Sequence, residues 1–278
     1  MLGSTGKLGV FLRRLWSQPH RSQRVGAWVA RTPADTGMTR WTPGDDPSIL
    51  PPADTLVALW GVTAGDDDAL TMNTTLAIAA LDLATAIGAR RVLHCSSAAV
   101  YPGGPTPAAE TDGPLNPHSA YGRSKRAMEQ AIAAWSTAHP DGPRSCVMRL
   151  ANVAGADQLF AAMGRATPLT LDRFPDGSGP RRSYIAPSDL GDVILALADA
   201  PLETLPPIVN VTGPSVVPMD DLLRAAGCPF EWRPAPDGAL PVMALSDERL
   251  CQFVPPLTRS ASADALIKDW QSLKGPAT

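Results

Sequence analysis

Lysine, tyrosine and cysteine are scarce in this 278-residue chain: 4 Lys beside 20 Arg, 3 Tyr and 4 Cys. The cysteines, Cys95, Cys146, Cys228 and Cys251, stand far apart, with no C-x-x-C and no nearby histidine pair. A metal site and a disulfide framework are both disfavoured, and a reducing compartment is expected. Neither charge sign forms a long run and the net charge is -3, so no basic face for nucleic acid is expected. The apolar start is too short for a signal peptide. The longest apolar stretch, Leu76 to Ile87, contains Asp82 and is too short to span a bilayer. A soluble cytoplasmic protein without a membrane partner is predicted. No G-x-S-x-G occurs, and His20, His94, His118 and His139 show no spacing with a nucleophile, which disfavours a hydrolase.

Proline is the residue in excess, 29 of 278. It breaks helix interiors and sheet ladders, so the proline-free windows at 53–101, 118–139, 145–167 and 257–275 are predicted to hold the long regular elements. A glycine-rich turn runs into an amphipathic helix near Lys7. Segments 24–31, 55–62, 91–97 and 145–153 read as strands. A long helix is predicted over 69–87, with Asp66 to Asp68 at its start and Gly88 at its end. A second follows a proline-rich loop, in SAYGRSKRAMEQAIAAWSTAH. Shorter helices are expected near 189–199, 219–226 and 261–273. Alternating strands and helices predict an α/β fold with a doubly wound parallel sheet. The last 111 residues hold 16 of the prolines, which sets a boundary between 1–167 and a smaller region, 168–278, some of whose elements return to the sheet.

Gly3, Gly6 and Gly9 form G-x-x-G-x-x-G at the mouth of the first helix. Glycine there permits a tight turn and lets backbone approach a pyrophosphate at the positive helix end; a plain glycine loop is the alternative. A triphosphatase loop is excluded because Leu8, not Ser or Thr, follows Lys7. Arg31 ends the second strand, where an acid would bind a ribose hydroxyl. An arginine favours a 2′-phosphate, unless it is a solvated strand end. Tyr121 and Lys125 stand four apart on a helix, so they share one face. With so few of either residue, only about 0.04 such pairs are expected by chance. An adjacent ammonium favours the phenolate and makes tyrosine a usable acid or base; a packed surface pair is the alternative. Ser96 and Ser97 end a strand at the carboxyl edge of the sheet, where ligands of open α/β folds bind, or else form a turn.

The order of GSTGKLG, the helix with Asn73, HCSSAAVYP, YGRSK and RLANVAG resembles the extended short-chain dehydrogenase/reductase family, in particular its NAD(P)-dependent epimerase/dehydratase group. The resemblance covers nearly the whole chain and extends to Glu110, Pro114 and Pro117 ahead of the tyrosine, to RRSYIAPSDLGD with Asp189, and to NVTG at 210–213. It implies a Rossmann-type fold, with 1–167 binding NAD(P) and 168–278 mainly binding substrate. It implies catalysis by Ser97, Tyr121 and Lys125, and a cofactor held by Gly3, Thr5, Gly6, Lys7, Leu8, Gly9, Arg31, Trp60, Asn73 and Lys125. Substrate contacts fall on Ser97, Asn152 and Arg182. NADP is expected, with NAD as the alternative, and the substrate is a nucleotide sugar or related hydroxy or keto compound. A homodimer through the two long helices is also expected. Ala98 and Ala99 stand where a dehydratase carries its acid pair, so an epimerase or reductase is preferred. Only Met1 and Leu2 precede Gly3, so the first strand is expected to be missing or truncated. That leaves open either an upstream start or a redox-sensing NADP-binding protein without turnover.

Overall fold

The computed structural model describes residues 1–17, 22–113, 115–164 and 169–274; His20, Pro114 and the boundary expected at 167/168 lie outside them. The chain divides into two compact units. One comprises Met1–Pro102, Pro114–Arg149 and Ile194–Val209; the other comprises Gly103–Gly113, Leu150–Val193 and Asn210–Thr278.

In the first unit, α1 (Lys7–Leu15) precedes two short parallel strands, β1 (Val29–Ala30) and β2 (Thr39–Arg40). Then come β3 (Thr55–Ala58) and β4 (Arg91–Ser97), parallel and in register from Thr55 opposite Arg91 to Ala58 opposite His94. Further along lie β6 (Arg144–Leu150) and β10 (Ile208–Val211), whose last residues count with the second unit; the sheet order is β10-β6-β4-β3. Leu2, fully buried, makes parallel bridges to Val29 and to Ala58. The strand expected ahead of Gly3 is thus represented by one bridging residue between β1 and β3. The apolar run 55–62 is strand only as far as Ala58. Beyond it the Leu59 N–H is given to the Leu2 carbonyl.

The two long helices form for the reasons the sequence suggests. In α2 (Asp67–Ala86) the Asp66 carboxylate accepts from the Ala69 N–H, and Gly88 takes φ +72° just past the end. Leu70, Asn73, Leu76, Ala77, Ala80, Leu81 and Ala84 recur at helical spacing and are buried. α2 is longer than the apolar stretch read in the sequence. By length and composition it could cross a membrane, but its apolar side packs into the core with Leu56, Val92, Met128, Ile132 and Val147. Helix α3 (Ala120–Ala138) is capped by Ser119, whose hydroxyl accepts from the Gly122 N–H. Its buried stripe is Gly122, Lys125, Met128, Glu129 and Ile132.

In the second unit, strands run in the order β11-β9-β13-β5, with β7 also on β9. These are β5 (Gly104–Ala108), β7 (Asn152–Val153), β9 (Arg181–Ile185), β11 (Val216–Pro218) and β13 (Val242–Leu245). A separate parallel pair joins β8 (Leu169–Arg173) to β12 (Phe230–Pro234). Helices α4 (Gln158–Met163), α5 (Pro187–Asp199), α6 (Met219–Ala225) and α7 (Ala263–Ser272) complete the chain, α5 passing from this unit into the first. The proline-rich stretch after Ser97, expected to be loop, contains β5. It is the end strand of its sheet, where Pro105 and Pro107 can turn their missing N–H groups to the unpaired side.

His94 on β4 is buried and its Nε2 has no hydrogen-bond partner among the described residues. Burial first, and the nearby Lys125 charge second, lower its pKa from 6.5 to about 3. The unfolded chain therefore binds this proton more readily. The stability that neutral His94 confers is complete above pH 6.5 and is lost as the pH falls toward 3. His94→Leu should flatten the fall in unfolding free energy across that window by up to about 1.4 kcal/mol per pH unit. Denaturant titrations at a series of pH values check this; an unchanged slope would show that His94 titrates normally.

Candidate active site

The glycine turn at the start of α1 is tightly built. Gly3 takes φ +83°, a conformation natural to glycine, and a Cβ there would lie 2.6 Å from the Trp60 nitrogen. Gly9 is buried against the Gly3 carbonyl and the Ser4 backbone, leaving no room for a side chain. The N–H groups of Gly3 and Ser4 both reach the Val29 carbonyl, and that of Gly6 reaches the Gly3 carbonyl at 3.0 Å. Gly6 is the N-cap and provides no side-chain cap, so the positive end of this nine-residue helix opens beside the exposed Thr5, Gly6 and Lys7. Such a cradle fits a pyrophosphate. Leu8 is half-buried behind it.

Ser97, Tyr121 and Lys125 come together within the first unit. Ser97 ends β4, and its hydroxyl accepts from the Ala99 N–H at 3.2 Å in a short turn over Ala98–Val100. The Tyr121 phenol lies near the Ser97 side chain, which favours its ionised form. Lys125, one turn along α3, gives its ammonium to the Cys95 carbonyl at 2.9 Å and stands 5.9 Å from the centre of the Tyr121 ring. Gly122 explains why the helix comes so close. A Cβ there would run into the Ala99 carbonyl and lie 2.8 Å from Pro117. Burial pushes the Tyr121 phenol well above its ordinary value, with Cys95 acting the same way and the Ser97 hydroxyl opposing. Burial also lowers the Lys125 pKa, while Cys95 and Glu129 raise it.

Gly61, just past β3, is a position the sequence analysis missed. A Cβ there would lie 2.9 Å from the Asn73 Oδ1 and 3.2 Å from the Lys125 Nζ. Without a side chain, the exposed Gly61 lets Asn73 and the Lys125 ammonium come close to the backbone, and this open backbone beside the ammonium is the second feature that fits a dinucleotide. Its signal in the sequence is only one glycine at the carboxyl end of an apolar run. Asn73 is engaged on the protein side. Its Oδ1 accepts from the Val62 N–H, and its Nδ2 donates to the Val62 carbonyl and to Ser124 Oγ. It thus ties α2 to the turn after β3 and to α3. Trp60 is half-buried with its ring 6.0 Å from that of Trp41, and Arg31 is exposed just past β1.

The two remaining candidates belong to the second unit. Asn152 donates to Asp157 Oδ2 at 3.0 Å, and Tyr184 donates to the same oxygen at 2.6 Å. Arg182 donates to the carbonyls of Arg181, Leu240 and Pro241. Burial lowers its pKa, with Tyr184 and Asp172 opposing. Asp189, matched in the sequence, accepts from Arg259 and Ser260.

The family model described as the NAD dependent epimerase/dehydratase family matches residues 54–212. A UDP-glucose 4-epimerase of Azospirillum brasilense is 36% identical over 148 residues, 45% of this chain and 42% of that protein, so the match spans less than half of the relative. Among solved structures, TunA is described as an NAD dependent NDP-hexosamine 5,6-dehydratase involved in tunicamycin biosynthesis. It superposes with TM-score 0.77 at 19% identity, covering 99% of this chain and 97% of its own. MoeE5 in complex with UDP-glucuronic acid and NAD gives 0.75 at 19%, covering 98% and 97%. The UDP-glucose 4-epimerase of Brucella ovis in complex with NAD gives 0.73 at 20%, covering 96% and 95%. At these identities the structural likeness establishes the Rossmann-type α/β fold.

The Gly122 contact yields a sharp contrast. Gly to Ala inside a helix ordinarily gains up to about 1 kcal/mol, but at Gly122 the overlap with Ala99 should win and give a net loss of about 1–3 kcal/mol. Gly113→Ala, where nothing lies within 4 Å, should stay within about 0.5 kcal/mol of the parent. Thermal unfolding of both variants checks this; equal effects would show that the helix does not depend on the close approach.

Proposed function

The chain belongs to the NAD dependent epimerase/dehydratase family, and on that premise we propose that it is an NAD(P)-dependent epimerase or reductase acting on a nucleotide sugar or a related hydroxy or keto compound. The observation that carries this reading is the meeting of Ser97, Tyr121 and Lys125 at the end of β4, with the exposed Gly61 backbone close beside the lysine. Likeness to epimerases and to structures that contain UDP-sugars and NAD supports the same class.

In this reading the cradle of Gly3, Thr5, Gly6, Lys7, Leu8 and Gly9 takes the pyrophosphate on the positive end of α1. Asn73 acts by shaping the turn at 61–62, beside Trp60. The cofactor, when bound, supplies a hydride acceptor and donor at its nicotinamide ring. Tyr121 is held protonated by its burial, so its Oη can give a proton to a carbonyl oxygen being reduced. In the opposite direction it takes the proton from a hydroxyl, helped by the Lys125 charge. Ser97 Oγ hydrogen-bonds the same reacting oxygen. Lys125 also holds the nicotinamide ribose. Asn152 and Arg182 contact the substrate, the guanidinium meeting its phosphates.

Three finer points complete the proposal. Arg31, exposed just past β1 where an acid would bind ribose, favours NADP over NAD. Ala98 and Ala99 give the turn after Ser97 no acid, which favours epimerisation or reduction over dehydration. A cytoplasmic homodimer through α2 and α3 is part of the reading, supported by Met72 standing exposed on α2.

Tyr121→Phe should lower turnover by about 10²–10⁴-fold with UDP-galactose or UDP-glucose as first probes, and leave NADPH affinity unchanged; retained turnover would sink the mechanism. NADPH should bind roughly tenfold more tightly than NADH, and Arg31→Asp should erase that preference. Fluorescence titration with both cofactors decides it: equal affinities in the parent protein would remove the role of Arg31.

A further inference from the structure

One buried ion pair has no part in the chemistry described so far. Glu129 on α3 and Arg149 at the end of β6 are 7% and 3% exposed. Arg149 Nη2 donates to Glu129 Oε2 at 2.7 Å, and its Nε lies 3.1 and 3.2 Å from the two carboxylate oxygens. Ser96 Oγ donates to Glu129 Oε1 at 2.5 Å. Arg149 Nη1 donates to the Tyr101 hydroxyl at 2.8 Å, with the guanidinium 4.9 Å from the centre of that ring. Burying two charges costs several kcal/mol per ion, and an apolar pair of similar volume is often as stable. Stability alone is thus a weak reason for the pair.

Its placement offers a better one. Ser96 directly precedes Ser97, Glu129 follows Lys125 by one helical turn, and Tyr101 closes the turn whose Ala99 carbonyl meets Gly122. Tyr121 and Lys125 therefore lie on a helix tied at two places: by the Gly122 contact at its first turn, and by the Glu129 carboxylate two turns later. A slip or rotation of α3 on β4 would break both.

We propose that Glu129 is a positioning residue for the Ser97, Tyr121 and Lys125 site, holding α3 in register with β4 through Ser96 and with β6 through Arg149. This rests on the role proposed above for those three residues. The carboxylate also acts by charge. Lys125 is faced by Tyr121 and Glu129 from its own helix and by His94 and Cys95 from β4, while Arg149 from β6 reaches it only through Glu129. Among these groups Glu129 is an anion that favours the ammonium, against the burial that disfavours it. Removing its charge lets Lys125 lose its proton at a lower pH.

The test compares wild type, Glu129→Gln, Ser96→Ala and Tyr121→Phe, all with NADP⁺ present. The pH profile of UDP-galactose turnover is recorded for each. Glu129→Gln should bring the high-pH loss of turnover, where Lys125 gives up its proton, down by about one pH unit. It should also lower turnover by roughly a hundredfold, with NADP⁺ affinity unchanged. Ser96→Ala keeps the ion pair, so it should slow turnover about tenfold without moving the profile. A folded Glu129→Gln protein with a wild-type profile and turnover would overturn the proposal. So would a wild-type Ser96→Ala protein, should Glu129→Gln fail to fold. If Tyr121→Phe itself retains turnover, the reading of the site fails instead; if Tyr121→Phe is inactive while the other variants are unaffected, only the positioning role fails.

Discussion

Everything that brings the candidate groups together depends on the close packing of α3 on the end of β4. The contact is backbone against backbone. Gly122 lies where a Cβ would overlap the Ala99 carbonyl, and a lone methyl group would push the helix off the strand. With the helix seated, Tyr121 meets Ser97 and the Lys125 ammonium meets the Cys95 carbonyl at 2.9 Å. The Ser119 cap starts the helix where that contact requires, because its hydroxyl binds the N–H of Gly122 itself.

The same packing accounts for the electrostatics. A tyrosine and a lysine wedged between helix and strand lose water, and loss of water disfavours both phenolate and ammonium. Burial is the largest influence on each of them, and on His94 beneath. A buried lysine is costly to keep charged, and the neighbourhood supplies a carbonyl and the Glu129 carboxylate in compensation. The polar groups of this region, Ser96, Glu129, Arg149 and Asn73, are accordingly hydrogen-bonded, as buried polar groups must be. His94 Nε2 is an exception, tolerable because a neutral imidazole nitrogen costs less to desolvate than an ion.

Much of the fold was legible because it is written locally. The Asp66 cap, the Gly88 stop and the helical spacing of Leu70, Leu76, Leu81 and Ala84 declared α2 within about a residue or two of its ends. The strand 91–97 was legible from Val92, Leu93 and Cys95 ahead of two serines. Segment 24–31 was less so: it is apolar between Arg24 and Arg31, yet only Val29 and Ala30 find strand partners in β2, with Leu2 bridging Val29 from the other side. β5 was invisible. A stretch reading Gly-Pro-Thr-Pro-Ala has no strand propensity of its own, and is extended only because β13 offers it a partner. Proline counts could mark where regular structure is interrupted, but not where an edge strand tolerates the interruption.

For the candidate site the division is similar. The sequence by itself determined that Tyr121 and Lys125 share a helix face, that Ser97 ends a strand, and that three glycines open a helix. Each follows from the fixed geometry of a single element, at 3.6 residues per turn or two per strand repeat. Only the tertiary structure decided that Ser97 lies near Tyr121, that Gly61 comes close to Lys125, that Asn73 serves the turn at 61–62, and that Glu129 and Arg149 pair behind them. Those contacts join residues from 11 to 64 positions apart, as in the bond of Asn73 to Val62 and the approach of Lys125 to Gly61. No local periodicity carries such pairings, because they are set by how buried faces fit once the helices and strands pack.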